Sequence, residues 1–199
     1  MKTNLRLIGG KKLQSPNNNY TRPTTLRVRE AIFNILNTRV ENSNWLDLFS
    51  GTGTISCEAY NHGARKIIAI EKNKNNSKIC LKNLLSLQDT DHRKNDIEVI
   101  CKDVLNWTKP NYERNESSKI MDLDKLKFDF VYLDPPYDVD FHELVLIQLF
   151  NCNFLKKNSI IICEHSPNLF IKKSTLWETI DVRNYGQSRL TFLINVKHP

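Results

Sequence analysis

Five short β-prone runs separated by helical stretches constrain how this 199-residue chain can fold. The runs cover residues 45–49, 66–70, 97–101, 128–133 and 159–163, and stretches with helical spacing lie at 55–61, 75–87 and 141–149. Strands that alternate with helices over short connections make right-handed crossovers, and so a parallel sheet covered on both faces. The end of the chain breaks the alternation. Residues 176–183, then Asn184-Tyr185-Gly186, then 188–196 read as two strands around a tight turn, an antiparallel hairpin at the sheet edge. The expectation is an α/β fold whose seven-stranded sheet is mostly parallel. Hydrophobic residues at 40% and charged residues at 26%, with only 6 Gly and 7 Pro, are enough to fill its core.

The charge is unevenly placed. Residues 1–40 hold Lys2, Arg6, Lys11, Lys12, Arg22, Arg27, Arg29 and Arg39 against the single acid Glu30, a local excess equal to the net +7 of the whole chain. The remainder balances. A one-sided basic block on a neutral body reads as a surface for a polyanion, and nucleic acid fits better than a membrane because the local helix is not rich in Trp or Phe on its apolar side. That helix begins near Thr24 or Thr25 and places Val28, Ala31, Ile32, Ile35 and Leu36 on one side over about four turns. The apolar stripe predicts that the helix docks on the main body. Residues 1–41 are thus expected as a basic N-terminal β/α extension and 42–199 as the main domain, with a polar surface insertion at 106–127.

Several classes are excluded by composition. No apolar run approaches the roughly 18 to 20 residues of a bilayer span, and residues 1–10 lack the apolar block of a secretory signal. A cytoplasmic protein without a membrane partner is expected. The five cysteines are odd in number, form no CxxC pair and do not neighbour a His at zinc-ligand spacing, so neither a disulfide framework nor a metal site is expected. They read as reduced core thiols.

Four short signals carry chemistry. Asp47-Leu48-Phe49-Ser50-Gly51-Thr52-Gly53 is a strand that enters a glycine turn and then a helix, where backbone can approach a ligand and free N–H groups meet oxygen atoms. Glu71 ends the second strand, 20 residues after Gly51, where an acid accepts ribose hydroxyls; Asp103 follows the third, placed to accept from an adenine amine. Asp134-Pro135-Pro136-Tyr137 follows the fourth strand. Two prolines forfeit two N–H donors, so carbonyls and a carboxylate dominate the turn and make it an acceptor site. Such a site holds both protons of an exocyclic amine and turns its lone pair toward an electrophile, while Tyr137 stacks on the planar group.

Asp47 to Gly53, Glu71, Asp103 and the DPPY loop together resemble the S-adenosylmethionine-dependent amino methyltransferases. Leu7-Ile8-Gly9-Gly10, the string Arg22-Pro23-Thr24-Thr25-Leu26-Arg27-Val28-Arg29-Glu30, and Tyr185-Gly186 narrow the resemblance to the bacterial family that methylates the N2 amine of a guanine in 16S ribosomal RNA. The resemblance implies a Rossmann-like class I methyltransferase fold and a monomer acting on 16S ribosomal RNA within a small-subunit particle. It implies that Asp47, Gly51, Gly53, Glu71 and Asp103 hold S-adenosylmethionine, and that Asp134, Pro135 and Tyr137 hold the guanine. Lys11, Lys12, Arg22, Arg27 and Arg29 are the expected phosphate clamp. Ser56 stands where the family usually has glycine. A DNA adenine-N6 methyltransferase and a non-catalytic nucleic-acid binding module are the alternatives; the second has no use for three strand-end acids gathered together.

Overall fold

The structure is a computed structural model and describes residues 5–16, 24–88, 96–109, 127–136 and 141–196. Thr25 caps α1 (Leu26–Leu36), its hydroxyl accepting from the Val28 amide. The helix runs three turns rather than four, because Asn37 at φ 49° ends it and Asn37–Val40 continues as a 3-10 turn. The main body then alternates as β1 (Asn44–Leu48), α2 (Thr54–Asn61), β2 (Lys66–Ile70), α3 (Lys74–Gln88), β3 (Asp96–Ile100), α4 (Val104–Trp107), β4 (Phe128–Leu133), α5 (His142–Asn151) and β5 (Leu155–His165). It closes on β6 (Trp177–Tyr185) and β7 (Ser188–Asn195).

The strands form one sheet in the order β3-β2-β1-β4-β5-β7-β6. The first five are mutually parallel, and β7 is antiparallel to both β5 and β6. This is the Rossmann-like class I methyltransferase arrangement expected from the sequence, with the last strand inserted between β5 and the edge strand β6. The strand order reverses between β1 and β4, and ligands of open α/β sheets bind outside the carboxyl ends of the strands at such a reversal. The Asp47–Gly53 turn and the Asp134 loop leave the sheet at that place.

Side chains alternate between two apolar layers. Trp45, Ile67, Phe130, Ile160 and Phe192 face α1, α2 and α3, whereas Leu46, Ile68, Val131, Ile161 and Leu193 face α4 and α5. The N-terminal segment belongs to the first layer: Leu5, Leu7 and Leu13 are buried with Val28, Ile32, Phe33 and Leu36 of α1. Residues 5–8 do not form a strand but one arm of a tight return whose isolated bridge joins Arg6 to Lys12. β5 is six residues longer than expected: four are added at its start, where a bulge near Asn158, at φ 60°, lets Leu155 pair with Phe128 before the regular register begins at Ile160, and two at its end, where Glu164 and His165 pair with β7. Residues 106–109 of the expected insertion complete and follow α4, 110–126 lie outside the described residues, and Lys127 leads into β4. Of the five free thiols, Cys57, Cys80 and Cys163 are in the core, Cys152 is half-buried, and Cys101 is exposed because it follows an edge strand.

Candidate active site at the carboxyl ends of the strands

Asp47 is the most deeply placed acid of the site, 1% exposed on the α1–α3 face of β1. Its Oδ2 accepts from the amide of Ser56 at 3.1 Å and from its hydroxyl at 2.5 Å, while Oδ1 is buried with no partner among the described residues. Burial pushes the carboxyl up to about 7, against the opposing pull of the two Ser56 bonds. Ser56 is therefore more than a tolerated small residue: a glycine would retain the amide bond and lose the hydroxyl bond. The turn after β1 needs positive φ at Phe49 (63°), Gly51 (55°) and Gly53 (78°). At Gly53 a Cβ would sit 2.4 Å from Cys80 Sγ, so α3 packs directly on the glycine backbone. At Gly51 the space a Cβ would take is open.

Glu71, just past β2, braces this turn. Its Oε2 accepts from the Gly51 amide at 2.9 Å and its Oε1 from the Asn73 amide at 2.6 Å, and burial raises its carboxyl above the ordinary range. Each oxygen keeps a further lone pair for a hydroxyl donor. Asp103 caps α4, accepting from the Asn106 amide at 3.2 Å, and remains partly exposed. The neighbouring strand ends of β1, β2 and β3 thus carry Asp47, Glu71 and Asp103 in a row, with Glu71 bonded to the glycine turn. This set fits S-adenosylmethionine, a cation with two ribose hydroxyls and an adenine amine, since the residues present are acceptors and one buried acceptor atom, Asp47 Oδ1, has no donor among the described residues.

Asp134 follows β4 beside this turn, partly exposed, with Pro135 buried and Pro136 exposed. Burial, reinforced by the negative charges of Glu164 and Asp47, lifts its carboxyl well above the ordinary carboxylate range. Tyr137 lies outside the described residues, so the stacking partner expected there has no structural description. Sequence reasoning missed what stands behind Asp134. Tyr132, fully buried, donates its hydroxyl to Glu164 Oε2 at 2.5 Å and lies 3.3 Å from the Thr24 hydroxyl. Glu164 Oε1 accepts from the Ser188 hydroxyl at 2.8 Å. The strand-end position that singled out Glu71 and Asp103 would also have found Glu164, which lies near the end of β5.

The expected phosphate clamp divides. Lys12 and Arg27 are exposed, Arg27 lying 5.8 Å over the Tyr185 ring. Lys11 is half-buried, its ammonium donating to the Ser86 carbonyl at 2.6 Å, which ties it to α3. Arg22 lies outside the described residues. Arg29 corrects the expectation: it is 4% exposed and forms a buried ion pair with Glu58, whose Oε1 also accepts from the Ile8 amide at 2.9 Å. A buried, paired guanidinium is unavailable to a phosphate; it locks α1 and the N-terminal return onto α2. Asn83 ties the same segment to the glycine turn, its Nδ2 donating to the carbonyls of Gln14 and Thr52, both at 3.0 Å.

Sheet order, glycine turn and strand-end acids define the chain as a Rossmann-like class I methyltransferase. Known proteins agree. The family described as Conserved hypothetical protein 95 matches residues 5–194. Ribosomal RNA small subunit methyltransferase D of Haemophilus influenzae is 31% identical over 177 residues, covering 89% of this chain and 84% of that protein. A putative methyltransferase of Escherichia coli superposes with a TM-score of 0.79 at 22% identity, over 98% of this chain and 99% of that one. A putative methyltransferase solved in complex with SAH shares the fold, with a TM-score of 0.59 at 18% identity over 85% of this chain and 48% of that one. The chain belongs to the Conserved hypothetical protein 95 family, together with the small-subunit ribosomal RNA methyltransferase D proteins.

Proposed function

We propose that this protein methylates the exocyclic N2 amine of a guanine in small-subunit (16S) ribosomal RNA. The observation that carries the reading is the acceptor-only loop: Asp134-Pro135-Pro136 leaves the sheet at its switch point beside the glycine turn, in a chain whose relatives are named for small-subunit ribosomal RNA methylation. S-adenosylmethionine is the cofactor, held by Asp47, Gly51, Gly53, Glu71 and Asp103, and supplies a methyl group on an already electrophilic sulfonium. The chain's own contribution is then alignment. Asp134 and the neighbouring carbonyls accept from the two N–H groups of the amine, which leaves its lone pair facing the methyl donor, and Tyr137 stacks on the base. A base held this way has to leave its stack, so the substrate is a splayed-out nucleotide. Lys12, Arg27 and Arg22 are the proposed phosphate contacts around it, with Arg29 and Lys11 holding the segment that carries them.

Tritiated methyl transfer to small-subunit ribosomal RNA, to DNA and to protein, compared side by side, tests the class of substrate. Digestion of the labelled RNA to nucleosides should give N2-methylguanosine; label only in N6-methyladenosine of DNA would replace this reading. Asp134→Ala should abolish transfer while cofactor affinity stays within about twofold, since Asp134 is on the amine side of the site.

A further inference from the structure

The geometry points to Glu164 as a positioning residue for methyl transfer: the buried Tyr132–Glu164–Ser188 chain fixes a carboxylate beside Asp134 so that Asp134 takes the amine proton. The inference rests on amine methylation at Asp134.

Methyl transfer to the amine forms an N–C bond as an S–C bond breaks, and the positive charge moves from sulfur to nitrogen. One proton must then leave the nitrogen. Asp134 and Glu164 follow Leu133 and Cys163, which are paired in the parallel register of β4 and β5. Both project to the face that carries Tyr132 and Ile162, by strand alternation. The two carboxyls differ in surroundings. Glu164 is 3% exposed and accepts from the Tyr132 hydroxyl on one oxygen and the Ser188 hydroxyl on the other. Hydrogen bonds donated to a carboxylate favour its charged form. Asp134 is reachable at the loop, and its neighbours Glu164 and Asp47 disfavour its charge.

Paired acids whose surroundings drive their proton affinities apart divide the roles of acid and base. Here Glu164 keeps the charge and Asp134 accepts the proton, which then passes to solvent through the partly exposed Asp134 carboxyl. Among the described residues, Asp47 from β1 and Tyr132 from β4 also face this pair, and the Thr24 hydroxyl ahead of α1 reaches the Tyr132 hydroxyl. His142 of α5 bonds through Nε2 to the Glu164 carbonyl at 3.0 Å, and His165 bonds through Nε2 to the Thr191 hydroxyl at 2.8 Å. Both imidazoles engage groups other than the Glu164 carboxylate in these bonds. The Tyr132 hydroxyl is itself held well above its ordinary range by burial, so it stays a donor.

The test is a carboxyl carbon-13 titration of the full chain labelled at aspartate, with Asp134 assigned through Asp134→Asn. Glu164→Gln preserves shape and removes charge, and should move the Asp134 titration toward acid by roughly one pH unit. Ser188→Ala removes one donor and should move it part of the way. Single-turnover methyl transfer should show its acid limb displaced in the same direction in Glu164→Gln. An unmoved Asp134 titration in both variants overturns the inference, as does an unmoved kinetic limb beside a merely lower rate. If wild type transfers no methyl to RNA, the functional reading falls, and the titration still decides whether Glu164 sets the proton affinity of Asp134. Should Glu164→Gln not fold, Ser188→Ala decides alone.

Discussion

Gly53→Ala is a perturbation whose magnitude can be worked from the structure. The new Cβ would lie 2.4 Å from Cys80 Sγ, 3.2 Å from its Cβ and 3.3 Å from its Cα. Favourable contacts between carbons lie at about 3.5 to 4.0 Å, and Cys80 is fully buried on α3. Two costs add. Holding alanine at φ 78° costs about 1 to 2 kcal/mol, and overpacking a closed core costs about 1 to 3 kcal/mol. A total of about 2 to 5 kcal/mol is a large share of the roughly 5 to 15 kcal/mol that stabilises a domain. Urea unfolding should show the loss as a lower midpoint at constant slope. Cys80→Ala removes the 2.4 Å contact but not the backbone strain, so in the Gly53→Ala background it should restore about 1 to 3 kcal/mol relative to additivity. A loss below about 0.5 kcal/mol, or strict additivity with Cys80→Ala, would refute the packing argument.

Arg29→Ala should destabilise the fold by about 3 to 5 kcal/mol, because it strands the Glu58 carboxylate in the core. Adding Glu58→Gln should recover part of that loss, since the Ile8 amide keeps an acceptor without the charge. Lys12→Ala and Arg27→Ala should each lower the dependence of RNA affinity on log salt by about one and leave cofactor affinity unchanged; an unchanged slope removes them from the phosphate surface. Asp47 predicts a pH effect. Its folded carboxyl titrates at about 7 against an ordinary 3.8, so between those values the folded chain holds the extra proton. Its contribution is present in full below about 4 and is lost as pH rises through about 7. Asp47→Asn should therefore narrow the gap between urea midpoints at pH 4.5 and 7.5, and an equal gap in both proteins would contradict the burial argument.

The strands and helices were largely legible because their signals are local. Apolar runs and helical spacing placed β2 and β4 without error and the other strands within two residues, apart from β5, whose bulge depends on its pairing with β4. The four-residue α4 was missed, since a single turn capped by Asp103 has no periodicity to read. At the site, Glu71, Asp103 and Asp134 were visible as acids at strand ends. In the sequence Ser56 stands out only as a departure from the family's glycine; its bond to Asp47 exists because the glycine turn folds the start of α2 back over β1.

By itself the sequence determined the α/β class, the glycine turn, the acceptor loop and the placement of all the excess charge before residue 41. Tertiary structure decided which of those charges face water. Arg29 and Arg27 are two residues apart on α1, yet one is sealed against Glu58 and the other lies exposed over Tyr185. The helical turn separates their faces, but only the packing of α1 on α2 makes one face interior. Tertiary structure likewise brought Tyr132, Glu164 and Ser188 together from three strands. Hydrogen bonds between residues 24 and 32 positions apart are set by sheet order and register, which no local pattern encodes.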